Sequence, residues 1–121
     1  MEKENFDIII VGAGMAGVCA AIEAAEAGLN VCMLDVSYGG GASGISGGVV
    51  YAGGGTSTQK EAGVLDSIDN MYRYLKREVG NVVSDATIRR FCEESPASIE
   101  WLKDKGVKFV GTVCPYKTSY P

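Results

Sequence analysis

The chain has 121 residues, a net charge of −4 and a 46% hydrophobic composition. That is enough apolar material for one packed domain, and it lacks the basic footprint of a nucleic-acid binder. There is no histidine, which excludes a Ser-His-Asp or Cys-His nucleophile and any His-ligated metal within these residues. No apolar run reaches the ~20 residues of a membrane span, and Met1-Glu2-Lys3-Glu4 does not open like a secretory leader.

In chain order, Phe6-Asp7-Ile8-Ile9-Ile10-Val11 reads as a strand buried on both faces, as in a parallel sheet. Gly12 to Gly17 is a tight glycine turn. Met15 to Ala27 is alanine-rich and predicts a helix ended by Gly28. Asn30 to Asp35 predicts a second strand, which completes a β-α-β unit. A segment with nine glycines between Gly39 and Gly55 follows. Its Ile45, Val49, Val50 and Tyr51 are foreign to a flexible linker and fit a backbone wrapped against a ligand.

Leu65 to Val79 places apolar residues at 65, 68, 71, 72, 75 and 79, one face of a helix that Gly80 ends. Ser84 predicts the N-cap of a further helix bearing Ile88, Phe91 and Cys92. Ser95-Pro96 predicts a break and restart, with Ile99, Trp101 and Leu102 following and Gly106 closing. Val107 to Val110 is a candidate short strand, and Gly111 to Pro121 reads as loop. Cys19, Cys32 and Cys92 sit in apolar runs without a Cys-x-x-Cys pair, so they read as small hydrophobes of a reduced, cytoplasmic protein. Cys114, in the loop, stays open.

A single β-α-β unit leaves two central-looking strands with no flanking neighbours. The chain also stops in a loop at Pro121. The expectation is a part of something larger, either a fragment or one chain of an obligate complex, with a second polypeptide completing the fold.

Gly12-Ala13-Gly14-Met15-Ala16-Gly17 is a G-x-G-x-x-G that follows a strand and opens a helix, and the acidic Asp35 ends the next strand. That context is the dinucleotide-binding fingerprint. Gly12 permits the turn, Gly14 lets backbone approach a pyrophosphate, and Gly17 lets helix and strand pack closely. The helix N-terminus offers N–H groups and partial positive charge to the phosphates. Asp35 can accept bonds from a ribose and repels a 2′-phosphate. The small and hydroxyl residues from Tyr38 to Thr56 suit a ribityl chain and flavin edge, which favours FAD over NAD.

Together, Phe6 to Asp35, the run Gly40-Gly41-Ala42-Ser43-Gly44-Ile45-Ser46-Gly47-Gly48, and Glu93-Glu94-Ser95-Pro96 through Trp101-Leu102 carry a resemblance. The chain resembles the start of the FAD-dependent family of fumarate reductase and succinate dehydrogenase flavoproteins, urocanate reductase and 3-ketosteroid dehydrogenases. The resemblance implies an α/β fold: residues 1–121 as the N-terminal portion of a Rossmann-like FAD-binding domain, incomplete on its own, with the capping domain absent. It implies that Gly12, Ala13, Gly14, Met15, Ala16 and Gly17 form the pyrophosphate loop and that Asp35 faces the adenosine ribose. The family usually has glutamate there, so the reach is one methylene shorter. Ala42 and Ser43 would contact the phosphate and ribityl region, and Gly47 and Gly48 the isoalloxazine.

Ser46-Gly47-Gly48 is closer to the steroid branch, which also places a tyrosine over the flavin after a proline-containing loop. Tyr120 matches that tyrosine better than Tyr116 and would serve as a catalytic hydroxyl. The implied function is an oxidoreductase acting on a C–C bond beside a carbonyl, with a small-molecule substrate, a steroid-like enone first and a dicarboxylate second. The covalent members use a histidine just before the second Gly-Gly, and this chain has none, so FAD is expected to be bound non-covalently. The alternative is a non-catalytic nucleotide-binding subunit.

Overall fold

A computed structural model of the chain describes residues 4–109. They divide between Val50 and Tyr51 into two compact units. In the first, β1 (Ile8–Val11), α1 (Met15–Glu26) and β2 (Val31–Leu34) follow in order. The two strands pair in parallel, with Ile8 opposite Val31 and Val11 opposite Leu34. Below the ladder, Asp7 Oδ2 accepts from the Asn30 N–H at 2.8 Å, which ties the entrance of one strand to that of the other. Above it, the Gly12 N–H reaches Leu34 O at 2.7 Å and carries the pairing into the glycine turn.

The strands do not end up buried on both faces. Ile8 and Ile10 are half-buried, whereas Ile9 and Val11 are 60% and 83% exposed and Leu34 is 52% exposed. The side chains alternate, α1 packs against this small sheet, and among the described residues of this unit no further element covers the remaining apolar positions. After β2 the chain forms one helical turn, α2 (Gly41–Gly44), which the sequence pattern did not predict. Cys19 and Cys32 are only half-buried in this unit, short of the burial expected of them.

The second unit holds α3 (Ser57–Glu61), α4 (Ile68–Val79) and α5 (Asp85–Asp104). Each begins on a hydroxyl cap: Thr56 accepts from the Gln59 N–H, Ser67 from Asn70, and Ser84 from Thr87. Such caps satisfy first-turn donors at about 1 kcal/mol each. Met71, Ile88 and the fully buried Cys92 form the core between α4 and α5, with Ile68, Tyr72, Leu75 and Val79 packed around them. Leu65, which the helical pattern included, is outside the helix and 97% exposed. Ion pairs Lys76–Asp85 and Arg89–Asp69, both at 2.6 Å, join α4 to α5 at the surface, where such pairs contribute little.

Two expectations are corrected here. The predicted break at Ser95-Pro96 does not occur, and α5 runs unbroken for 20 residues. Pro96 has no N–H to give the Cys92 carbonyl, a cost of about 3 kcal/mol. The buried residues Ile88, Cys92, Ser95 and Ile99 lie on both sides of it, so packing of one continuous face outweighs the lost bond. Ser95 is not a cap, since its Oγ accepts from the Gly53 N–H at 3.0 Å. Val107–Phe109 also form no strand, for among the described residues of this unit no strand is present to pair with them; Val110 lies outside the described residues.

Candidate functional site

The glycine turn between β1 and α1 stands at the carboxyl ends of both strands, where open α/β sheets receive their ligands. A cavity of ≈340 Å³ opens there, lined by Val11, Gly12, Leu34, Asp35 and Val36. The backbone at Gly12 has φ +100°, a conformation that side chains strain to adopt. A Cβ on Gly17 would lie 1.8 Å from Gly12 O. The first turn of α1 can reach the strand end only because that atom is missing.

α1 starts differently from the three capped helices. Its N-cap is Gly14, with no side-chain cap. Among the described residues, the N–H groups of Gly14, Met15 and Ala16 have no protein acceptor. A Cβ on Gly14 would meet nothing within 4 Å. Open space, undonated N–H groups and the positive end of a 12-residue helix coincide at one place, and a pyrophosphate fits that donor set.

Asp35 is placed beside this loop. Its Oδ2 accepts from the Ala13 N–H at 2.6 Å, and its Oδ1 accepts from the Ser37 N–H at 2.8 Å and the Ser37 hydroxyl at 2.9 Å. The Ala13 bond first, then those from Ser37, hold its carboxyl below the ordinary aspartate range. Asp35 is exposed, so each oxygen keeps acceptor capacity for ribose hydroxyls. The sequence did not indicate that Asp35 also clamps the phosphate loop, nor that Ser37 is its second partner.

The first half of the glycine segment packs on the same loop. The Gly40 N–H donates to Ala13 O at 2.8 Å, and a Cβ on Gly41 would come within 3.2 Å of Gly14 Cα. Three successive glycines at 39–41 were the available signal for this close approach. Ala42 and Ser43 follow in α2, and Ser46 Oγ donates to Ser43 O at 2.9 Å while accepting from the Gly48 N–H at 3.2 Å. Every residue from Gly41 to Val50 is exposed, including Ile45 and Val49 at 90% and 87%. Gly12–Gly17, Asp35, Ala42, Ser43, Gly47 and Gly48 thus lie in one unit. Tyr116, Tyr120 and Cys114 lie outside the described residues.

The second half of the segment belongs to the other unit. There the N–H groups of Gly53, Gly54, Gly55 and Thr56 all end on side chains: Ser95 Oγ (3.0 Å), Asp66 Oδ2 (2.8 Å) and, for the last two, Gln59 Oε1 (3.0 Å each). Thr56 and Gln59 make a reciprocal capping box. Its Thr-x-x-Gln spacing is present in the sequence, whereas nothing there joined Asp66 or Ser95 to this turn. Among the described residues no cluster suits a metal ion and no helix is long and apolar enough to cross a membrane.

Comparison with known proteins bears on the family and the fold. Residues 7–118 match the family model of the FAD binding domain. The chain is 46% identical over 115 residues to 3-oxo-5-alpha-steroid 4-dehydrogenase of Comamonas testosteroni, covering 95% of this chain and 22% of that protein. It is 33% identical over 106 residues to NADH:fumarate oxidoreductase of Klebsiella pneumoniae (strain 342), covering 86% of this chain and 11% of that protein. Among solved structures it is similar to 3-ketosteroid-delta4-(5alpha)-dehydrogenase from Rhodococcus jostii RHA1 in complex with 4-androstene-3,17-dione. That match has a TM-score of 0.81 and 42% identity over 86% of this chain and 22% of that one. The chain therefore spans a minor part of the length of these relatives.

Proposed function

The chain belongs to the FAD-binding domain family, and from that premise we propose that it supplies the nucleotide-holding portion of a flavin-dependent oxidoreductase acting on a C–C bond next to a carbonyl. The observation that carries the reading is the uncapped start of α1, where undonated N–H groups face open space at Gly14. FAD, when bound, supplies two-electron chemistry, exchanging hydride with the substrate carbon. The chain's own residues bind and orient. Gly12–Gly17 take the pyrophosphate, and Asp35, held in place by Ala13 and Ser37, accepts from the adenosine ribose. Ala42 and Ser43 contact the phosphate and ribityl region, and Gly47 and Gly48 present backbone to the ring.

A steroid-like enone is the first substrate class, because two of the steroid relatives, at 46% and 42% identity, exceed the fumarate relative at 33%; a dicarboxylate is second. Tyr120 is the proposed catalytic hydroxyl, moving the proton that accompanies hydride transfer. A second polypeptide, or further chain, would cover the exposed β1 and β2 positions. The setting is cytoplasmic, in keeping with free thiols at Cys19, Cys32 and Cys92. FAD is held non-covalently, in keeping with the absence of histidine from these 121 residues.

The test is the visible spectrum of the purified protein, followed by acid precipitation. Flavin absorption that passes wholly into the supernatant is expected. A colourless protein that takes up adenine nucleotides would instead indicate the non-catalytic nucleotide-binding subunit, and colour retained in the pellet would overturn non-covalent binding. Faster turnover of a dicarboxylate than of a 3-ketosteroid would reverse the substrate order.

A further inference from the structure

We infer that Ser37 is a positioning residue of the nucleotide site, pinning the Asp35 carboxylate so that it fastens the glycine loop and keeps a fixed bearing toward a ribose diol. The inference deepens the reading of that site as FAD-binding and rests on it. All of its residues belong to the first unit. Asp35 directly follows β2 and lines the ≈340 Å³ cavity with Val11, Gly12, Leu34 and Val36. The start of α1, with its undonated N–H groups, follows the same glycine turn.

One carboxylate serves two neighbours there. Oδ2 accepts from the Ala13 N–H in the glycine turn, and Oδ1 takes both the N–H and the hydroxyl of Ser37. Packing does not supply this placement. Asp35 and Ser37 are exposed, and the side chains of Val36 and Tyr38 on either side of Ser37 are fully so. An exposed carboxylate left to rotate would lose ordering entropy each time it met a ligand. The two donors of Ser37 remove that freedom in advance, and Ser37 acts on the loop through Asp35. Its hydroxyl also joins the N–H groups of Ala13, Ser37 and Gly39 in holding the carboxyl below the ordinary aspartate range. These donors are all uncharged, so the placement of Asp35 depends on their geometry rather than on an ion pair.

The experiment compares the parent chain with Ser37→Ala and Ser37→Thr. It measures the FAD dissociation constant from about pH 7 down to about pH 4, and the thermal midpoint without ligand. Ser37→Ala keeps the backbone bond and loses the hydroxyl, so its dissociation constant should rise about fivefold. Its loss of FAD in acid should also set in at a higher pH than in the parent, because the carboxyl moves back toward its ordinary range. Ser37→Thr retains the hydroxyl and should match the parent in affinity and acid profile. Thermal midpoints should stay close, since the side chain at 37 is exposed. Parental affinity and acid profile in Ser37→Ala would overturn the inference, and a lowered thermal midpoint beside them would mark a merely structural bond. A loss as large in Ser37→Thr as in Ser37→Ala would overturn it too. A parent protein that takes up no FAD would overturn the reading of the site, and the inference with it.

Discussion

Among the described residues, the N–H groups of Gly14, Met15 and Ala16 in the Gly12–Gly17 loop have no protein acceptor, whereas in the Gly53–Thr56 turn all four N–H groups end on side chains. Both stretches are glycine-rich and both precede a helix. The first helix starts on an uncapped glycine and the second on a complete capping box. Polar backbone groups buried or crowded without partners are costly. The open N–H groups lie where water reaches them and stay free to take a ligand, whereas the closed ones hold the shape of their own turn. Glycine serves close approach in both, of Gly17 to Gly12 O in one and of Gly54 to Cys92 O of α5 in the other.

Substitution is expected to be most damaging at Gly17. Gly17→Ala would place a methyl 1.8 Å from Gly12 O, a clash with backbone that no rotamer relieves. It should cost about 3 kcal/mol or more and lose both the first unit's fold and its flavin, as read by circular dichroism and flavin content. A Gly17→Ala protein with parental stability would contradict the packing of α1 on the strand end.

Asp35→Ala tests the open loop from its flank. It removes the acceptor for Ala13 and Ser37 without touching the apolar contacts of the sheet, so the fold should survive while FAD affinity falls roughly tenfold, the loss expected for one charge-assisted contact. Unchanged affinity in a titration would take Asp35 out of the site.

Acid weakens the closed turn. Burial pushes the Asp66 carboxyl up, but bonds from Asn70, Gln59, Gly54 and Ser67 together outweigh it and leave it below the ordinary aspartate range. A carboxyl lowered on folding stabilises above its unfolded value, near ~3.9, and that contribution fades as pH falls through the lower folded value. The gap in thermal midpoint between the parent and Asp66→Asn should thus be widest near neutral pH and shrink below about pH 4. A gap constant from pH 7 to 3 would show that Asp66 is not acting as a carboxylate.

Much of the first unit was legible because local rules and tertiary structure agree there. The β-branched run Ile8–Val11, the glycine spacing and the alanine-rich stretch to Glu26 each specify one element, and the parallel pairing follows. The legible part of the second unit was its helical periodicity, confirmed at Met71, Leu75, Ile88 and Cys92. What escaped was long-range. Ser95-Pro96 obeys the local grammar of a helix start, yet Ser95 is claimed by Gly53, 42 residues earlier. Asp66 fell within the helix expected from Leu65, and its role emerges only when Gly54, Gln59 and Asn70 converge on it. At Asp35 the sequence indicated the acidic residue, but the bond to Ala13 depends on the register of two strands.

The most direct test of the open loop is Gly14→Val. Position 14 has φ −77°, which any residue adopts, and its added Cβ meets no protein atom within 4 Å. The substitution should leave secondary structure and thermal midpoint of the unliganded protein close to the parent while flavin content, measured from absorbance after acid release, drops to background. Gly14→Val protein that carries a full complement of FAD would show that the space above the uncapped helix is not where the pyrophosphate binds.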